Sequence, residues 1–181
     1  MQQIHKNAKI IWLTGISGAG KSTLAKQIVE TMLAQNIAVQ LLDGDEVRNF
    51  FEGDLGYSRK ERILNVRRIA FAAFLLAQHG INVVVSNIAP YYEVRDFVRE
   101  KLKNQYIQVY VKTSIETAIK RDVHGHYKKF KTGEMSNIIG LDDNYDIPRN
   151  PNLIVDTNIE SVEESFKKIL TLLKEKGITK C

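Results

Sequence analysis

Nine residues near the start of the chain, GISGAGKST from Gly15 to Thr23, satisfy the spacing G-x-x-x-x-G-K-[ST] and fall between an apolar run and a helical pattern. Glycines at 15, 18 and 20 let the backbone curl so that its N–H groups converge, and the following helix adds the positive end of its dipole. Such a loop cradles phosphate. Lys21 is expected to reach the β and γ phosphates of ATP, and Ser22 to ligate Mg²⁺ beside them. The expected ATP-binding set is Gly15, Ser17, Gly18, Ala19, Gly20, Lys21, Ser22 and Thr23, joined by Arg121 from a basic block further on.

Switch proteins, motors and small-molecule kinases all share a loop of this kind, so the accessory residues decide between them. A motor carries an apolar strand ending in Asp or Asp-Glu, whereas the third apolar run here ends VVVSNIAP, and no switch or base-recognition motif is present. A kinase remains. Its carboxylates are those of LLDGDEVR, Leu41 to Arg48, where the second apolar run gives out. Phosphoryl transfer to an alcohol needs a group that orients the hydroxyl and takes its proton, and Asp45 is the residue expected to do so. The other reading of Asp45 is an N-cap for a short helix starting at Glu46. Asp43 is expected to brace the loop or to meet Mg²⁺ through a water. Downstream, Arg48, Arg62 and Asn65 follow, the last two three residues apart on one helical face, and together they suit an anionic acceptor.

These residues must be held by a scaffold that the hydrophobic periodicity outlines. Runs rich in β-branched residues at 9–14, 37–42, 81–87, 106–111 and 152–156 read as buried strands, separated by helical patterns at 21–35, 59–79, 91–103 and 115–123 and followed by one at 160–176. Ser161 with Glu164 marks the start of the last helix as a capping box. Val66, Ile69, Ala73, Phe74 and Ala77 form the expected buried stripe of the second helix. Alternation of strand and helix predicts an α/β fold of three layers, a P-loop nucleotide-kinase fold with a five-stranded, mostly parallel sheet and helices on both faces. The ligand site then lies beyond the carboxyl ends of the strands. A length of 181 residues and 44% hydrophobic content predict one domain over 1–181. The polar, basic stretch 124–151, punctuated by Gly and Pro, is too long for an ordinary connection and reads as a mobile lid.

The net charge of +5 suits a protein that handles polyanionic nucleotides, and the block Lys120, Arg121, Lys128, Lys129 and Lys131 concentrates part of it. The lysines of 167–176 read as a solvated helix face. No apolar run approaches the ~20 residues of a membrane span, and the polar start carries no targeting segment. The single cysteine, Cys181, allows no internal disulfide and no cysteine metal site, so a cytoplasmic protein is expected.

The segments GISGAGKST, DGDEVR, DLGYS, ERILNVRR, IAPYYEVR, VYV, RDVHGHYKK and YDIPRNP stand in an order that resembles the adenylylsulfate kinase family, which uses ATP to phosphorylate the 3′-hydroxyl of adenosine 5′-phosphosulfate. That resemblance implies ATP and Mg²⁺ as cofactors and a nucleotide acceptor as partner, with neither nucleic acid nor membrane, and it leaves a homodimer open. It makes Asp45 the base and assigns the acceptor to Arg48, Arg62 and Asn65. It also implies that Tyr57 stacks on the acceptor base, that Ile88 and Ala89 line its pocket, and that the region from Arg121 through Lys131 belongs to the lid. Three departures stand out. Ala89-Pro90 replaces a usual Ser-Pro, HGHY with His124 and His126 replaces KGLY, and Ile138-Ile139-Gly140 replaces FTG, removing a phenylalanine that would sandwich adenine. The two histidines read as lid-surface or phosphate-side residues, with no third ligand nearby for a metal. A paralogue acting on another nucleotide, such as cytidine diphosphoramidate, is the alternative these changes suggest. A nucleotide-dependent switch or nucleic-acid-binding module is the more remote one.

Overall fold

The computed structural model describes residues 8–180; the first seven residues of the polar start and Cys181 lie outside the described residues. The elements run β1 (Ile10–Thr14), α1 (Lys21–Ala34), β2 (Val39–Asp43), α2 (Gly44–Phe50), α3 (Arg59–Gln78), β3 (Asn82–Ser86), α4 (Tyr92–Leu102), β4 (Tyr106–Lys112), α5 (Ile115–Arg121), α6 (His126–Lys131), β5 (Leu153–Asp156) and α7 (Val162–Glu175). The five expected strands are present, and the sheet is wholly parallel, in the order β2-β3-β1-β4-β5. Helices α1 and α7 pack together, as do α3 and α4, with the sheet between.

The inner strands β1, β3 and β4 are buried because they carry apolar residues on both faces, Ile10 to Leu13 and Val83 to Val85 being fully enclosed, whereas the edge strands β2 and β5 are only partly buried because each has a neighbour on one side alone. α7 starts as expected, its Ser161 hydroxyl accepting from the Glu164 amide at 3.1 Å while the Glu164 carboxylate accepts from the Ser161 amide at 2.8 Å.

Two local expectations are corrected. The short helix after β2 begins at Gly44, and its cap is Asp43, whose Oδ1 accepts from the Asp45 amide at 2.9 Å. Asp45 is therefore inside the first turn and not its cap. On α3, Phe74 is 37% exposed, and the inward stripe is Val66, Ile69, Ala70, Ala73 and Ala77. A helix with apolar residues on two sides gives no unique stripe, and here the small alanines take the side that lets α3 approach the sheet.

Parallel strands bring the loops after β1, β2 and β3 to one edge. The register sets Leu13 and Asp43 on either side of Ser86. The phosphate loop, the two aspartates and the corner after β3 thus meet where a ligand site is expected for an open parallel sheet.

Candidate active site

The phosphate loop leaves β1 and closes onto α1 with Gly18 at φ 75° and Gly20 at φ 94°, values that favour glycine. At Gly15 the constraint is space instead, since a Cβ would sit 2.3 Å from the Val111 carbonyl oxygen of β4. Lys21, at the start of α1, is buried and donates from Nζ to the Ile16 carbonyl at 2.9 Å. Burial lowers its pKa to about 8, with the carboxylates of Asp45 and Asp43 opposing the shift. Arg121 lies against the loop rather than in the cleft. Its Nη1 donates to the Gly18 carbonyl at 3.2 Å and its Nη2 to the Thr157 carbonyl at 2.7 Å.

Ser22 donates to Asp43 Oδ2 at 3.0 Å and lies 3.1 Å from the Ser86 hydroxyl. Two hydroxyls and a carboxylate form an oxygen set of the kind a hard cation accepts, and Mg²⁺ needs few protein ligands when phosphates and waters fill the rest. Among the described residues no group of three or more His, Cys, Asp or Glu is placed to hold a metal. Asp43 is thus engaged twice, by the α2 cap and by Ser22. The Asp45 carboxylate, by contrast, is exposed and accepts no hydrogen bond from the described residues.

Across the cleft, Glu61 accepts from the amides of Gly56 and Ser58 at 2.9 and 3.0 Å and so fixes the loop that carries Tyr57. Arg48 and Arg62 are buried. Arg48 donates from Nη1 to the Leu55 and Gly56 carbonyls at 2.8 and 2.6 Å, and Arg62 from Nε to the Tyr57 carbonyl at 2.9 Å and from Nη2 to the Asn137 carbonyl at 2.5 Å. Their guanidinium carbons lie 4.7 and 5.2 Å from the Tyr57 ring centroid. Asn65 donates to the Gly44 carbonyl at 3.1 Å, tying α3 to the start of α2. Asn65 Oδ1 and Arg48 Nε are buried without a partner among the described residues, an acceptor and a donor left for something else to satisfy.

At the corner after β3, Ala89 adopts φ 40°. Its amide donates to Asn87 Oδ1 at 2.8 Å, and its carbonyl accepts from Arg95 Nη1 at 2.7 Å. The Ile88 carbonyl accepts from the Thr14 hydroxyl at 2.5 Å. Ile138 is buried, its amide bonded to Asp142 Oδ1 at 2.6 Å.

One cleft joins these groups. Of the residues singled out from the sequence, Ser17, Gly18, Gly20, Lys21, Ser22, Thr23, Asp43 and Asp45 line it from one side. Arg48, Tyr57, Arg62, Asn65, Ile88, Ala89 and Ile138 line it from the other. Gly15, Ala19 and Arg121 support the loop from outside the lining. Sequence reading missed Ser86, Asn87 and Met135 in the wall. Ser86 could have been found by aligning the strand ends, because it ends β3 at the level where Asp43 ends β2. No described helix is long and apolar enough to cross a membrane.

Comparison with known proteins gives the family. The family model described as Adenylylsulphate kinase matches residues 7–156. The adenylyl-sulfate kinase of Microcystis aeruginosa is 41% identical over 167 residues, covering 92% of this chain and 92% of its own. That of Halothermothrix orenii is 42% identical over 167 residues, covering 92% and 90%. Among solved structures, the Mycobacterium tuberculosis APS kinase in complex with AMPPNP and APS superposes with a TM-score of 0.88 at 33% identity, over 93% of this chain and 98% of that one.

Proposed function

The chain belongs to the adenylylsulphate kinase family, and from that premise we propose how its cleft carries out the family reaction, ATP-dependent phosphorylation of the 3′-hydroxyl of adenosine 5′-phosphosulfate. The enzyme is a phosphotransferase with an alcohol group as acceptor. The carrying observation is that one cleft holds a phosphate loop, an unengaged carboxylate and two buried arginines.

The loop amides and Lys21 hold the ATP phosphates, with Arg121 and Thr157 bracing the loop from behind. Ser22 would hold Mg²⁺ directly and Asp43 through a water, with Ser86 beside them. When bound there, Mg²⁺ would supply charge neutralisation for the ATP phosphates. Asp45 takes the proton of the 3′-hydroxyl as its oxygen attacks the γ phosphorus; the bond from that phosphorus to the bridging oxygen breaks and ADP leaves. Lys21 stabilises the charge that grows on the transferring group. On the acceptor side, Arg48 and Arg62 meet the anionic nucleotide, Asn65 Oδ1 accepts from it, and Tyr57 with Ile138 contacts its base between Ile88 and Ala89. The stretch 124–151 acts as the lid of a single kinase domain, in the cytoplasm where ATP is supplied.

A homodimer is part of this reading. Leu64, Phe71 and Leu75 form an exposed stripe on α3. Arg68 continues it, with its guanidinium 4.2 Å from the exposed Phe51 ring. With Phe50 these side chains present roughly several hundred Å² of apolar surface, a useful part of one partner's share of a stable interface. Sedimentation should give a dimer that Phe71→Glu converts to monomer.

The function is tested by ADP release from MgATP with adenylylsulfate, cytidine diphosphates and other nucleotides assayed in parallel. Adenylylsulfate should give the highest specificity constant. A cytidine acceptor that outperformed it would replace this reading with the paralogue one.

A further inference from the structure

Two imidazoles stand in the wall of the cleft without a part in the steps above. His124 and His126 both line it, their rings stacked at 5.5 Å between centroids and 29° between planes. His126 also meets the edge of Tyr57 at 6.3 Å and 62°. The contact links the lid to the acceptor loop.

The position of the pair is built in. The Asp122 carboxylate accepts from the amides of Tyr127 and Lys128 at 3.1 and 2.9 Å, holding the start of α6, and the Tyr127 hydroxyl donates to the Ser17 carbonyl of the phosphate loop at 3.0 Å. Anchored at both points, α6 keeps His126 over the cleft. The charged groups near it come from several elements: Asp45 of α2, Asp122 at the end of α5, His124 beside it, Lys129 of its own helix, and Arg48 and Arg62 against the shared Tyr57 ring. Burial holds the His126 imidazole below its usual range, Asp45 opposes that shift and His124 adds to it. Two guanidiniums already flank Tyr57, so a further cation on the His126 ring is disfavoured until an anion arrives to offset it.

We propose that His126, stacked on His124 and edge-on to Tyr57, is an acceptor-binding residue that takes up a proton as the anionic nucleotide acceptor enters, so that acceptor affinity rises as pH falls from about 8 to about 6. This rests on the kinase reading above. Permanent cations cannot give such a dependence, and Lys21, lowered to about 8 by burial, is held charged by the ATP phosphates at saturating MgATP. Arginines 48 and 62 keep their charge throughout the interval, and the sulfate and phosphate groups of adenylylsulfate keep theirs.

The test is the acceptor KM for adenylylsulfate at saturating MgATP across this interval, read by ADP release, with kcat and the ATP KM measured alongside. In the wild type the acceptor KM should be about threefold or more higher at the alkaline end. The double variant His124→Phe/His126→Phe keeps two stacked rings that cannot protonate, and His124→Gln/His126→Gln keeps polar side chains that cannot either. In both, the ratio should fall to about one while the ATP KM keeps its wild-type pH profile. A flat wild-type ratio, or a ratio unchanged in either double variant, overturns the assignment and leaves the kinase reading standing. Absence of adenylylsulfate-dependent ADP release at every pH overturns both.

Discussion

The two ends of the cleft are made of different material. At the phosphate end the recognising groups are main-chain amides and one ammonium from a single nine-residue stretch, shaped by Gly18 and Gly20 at positive φ and by the fit of Gly15 against β4. At the acceptor end they are side chains from α2, the Tyr57 loop, α3, the corner after β3 and the segment around Ile138. A site built from backbone tolerates almost any neighbour, provided the glycines stay. One built from side chains changes whenever a residue does. All three departures from the family pattern, at Ala89, at the two histidines and at Ile138, lie on the acceptor and lid side, and none lies in the phosphate loop.

Breaking the phosphate end should cost most. Lys21→Ala removes the only ammonium in the loop and is expected to lower kcat by about 10³-fold with the fold intact, as read by circular dichroism and single-turnover kinetics. Wild-type-like turnover in a folded variant would remove Lys21 from the mechanism. The next largest effect belongs to the junction between the ends. Asp45→Asn keeps the shape but cannot take a proton, so kcat should fall by about 10²-fold while both KM values barely move. Because Asp43 is the helix cap, the melting temperature of Asp45→Asn should equal that of the wild type; a lowered melting temperature with a preserved rate would reverse the roles of the two aspartates.

Smaller effects sharpen the acceptor end. Ile138→Phe offers a second aromatic face opposite Tyr57, and base stacking of about 1–3 kcal/mol should lower the KM of an adenine acceptor about fivefold or more while helping a cytidine acceptor less. Equal change for both acceptors would show that Ile138 does not face the base. Smallest is Glu61→Ala, which frees the amides of Gly56 and Ser58 and loosens Tyr57. The acceptor KM should rise about twofold to threefold, with the ATP KM unchanged and the melting temperature slightly lowered. An equal rise in the ATP KM would mean that the two ends are not independent.

The same contrast explains what could be read in the sequence. The phosphate loop was legible because its geometry is local: glycine spacing dictates it, whatever the rest of the chain does. Strands were legible from continuous Val, Ile and Leu runs, since only a sheet covered on both faces needs them. The choice between Asp43 and Asp45 as helix cap was not, because the two stand symmetrically about Gly44 and only the path of β2 decides which one meets the first turn. Nor were Ser86 and Asn87, whose places beside Asp43 and Gly44 depend on the register of β2 against β3, forty-three residues apart in sequence. Arg48 and Arg62 were legible in type but not in burial. Their enclosure comes from carbonyls of Leu55, Gly56, Tyr57 and Asn137, which no spacing rule places around them.

The most direct test of the account is where the phosphoryl group goes. With γ-labelled ATP, Mg²⁺ and adenylylsulfate, the label should appear on the 3′-oxygen of the nucleotide in a one-to-one ratio with ADP, and a 3′-deoxy analogue of the acceptor should take up none. Label released as inorganic phosphate, or carried on any other oxygen of the acceptor, would contradict it.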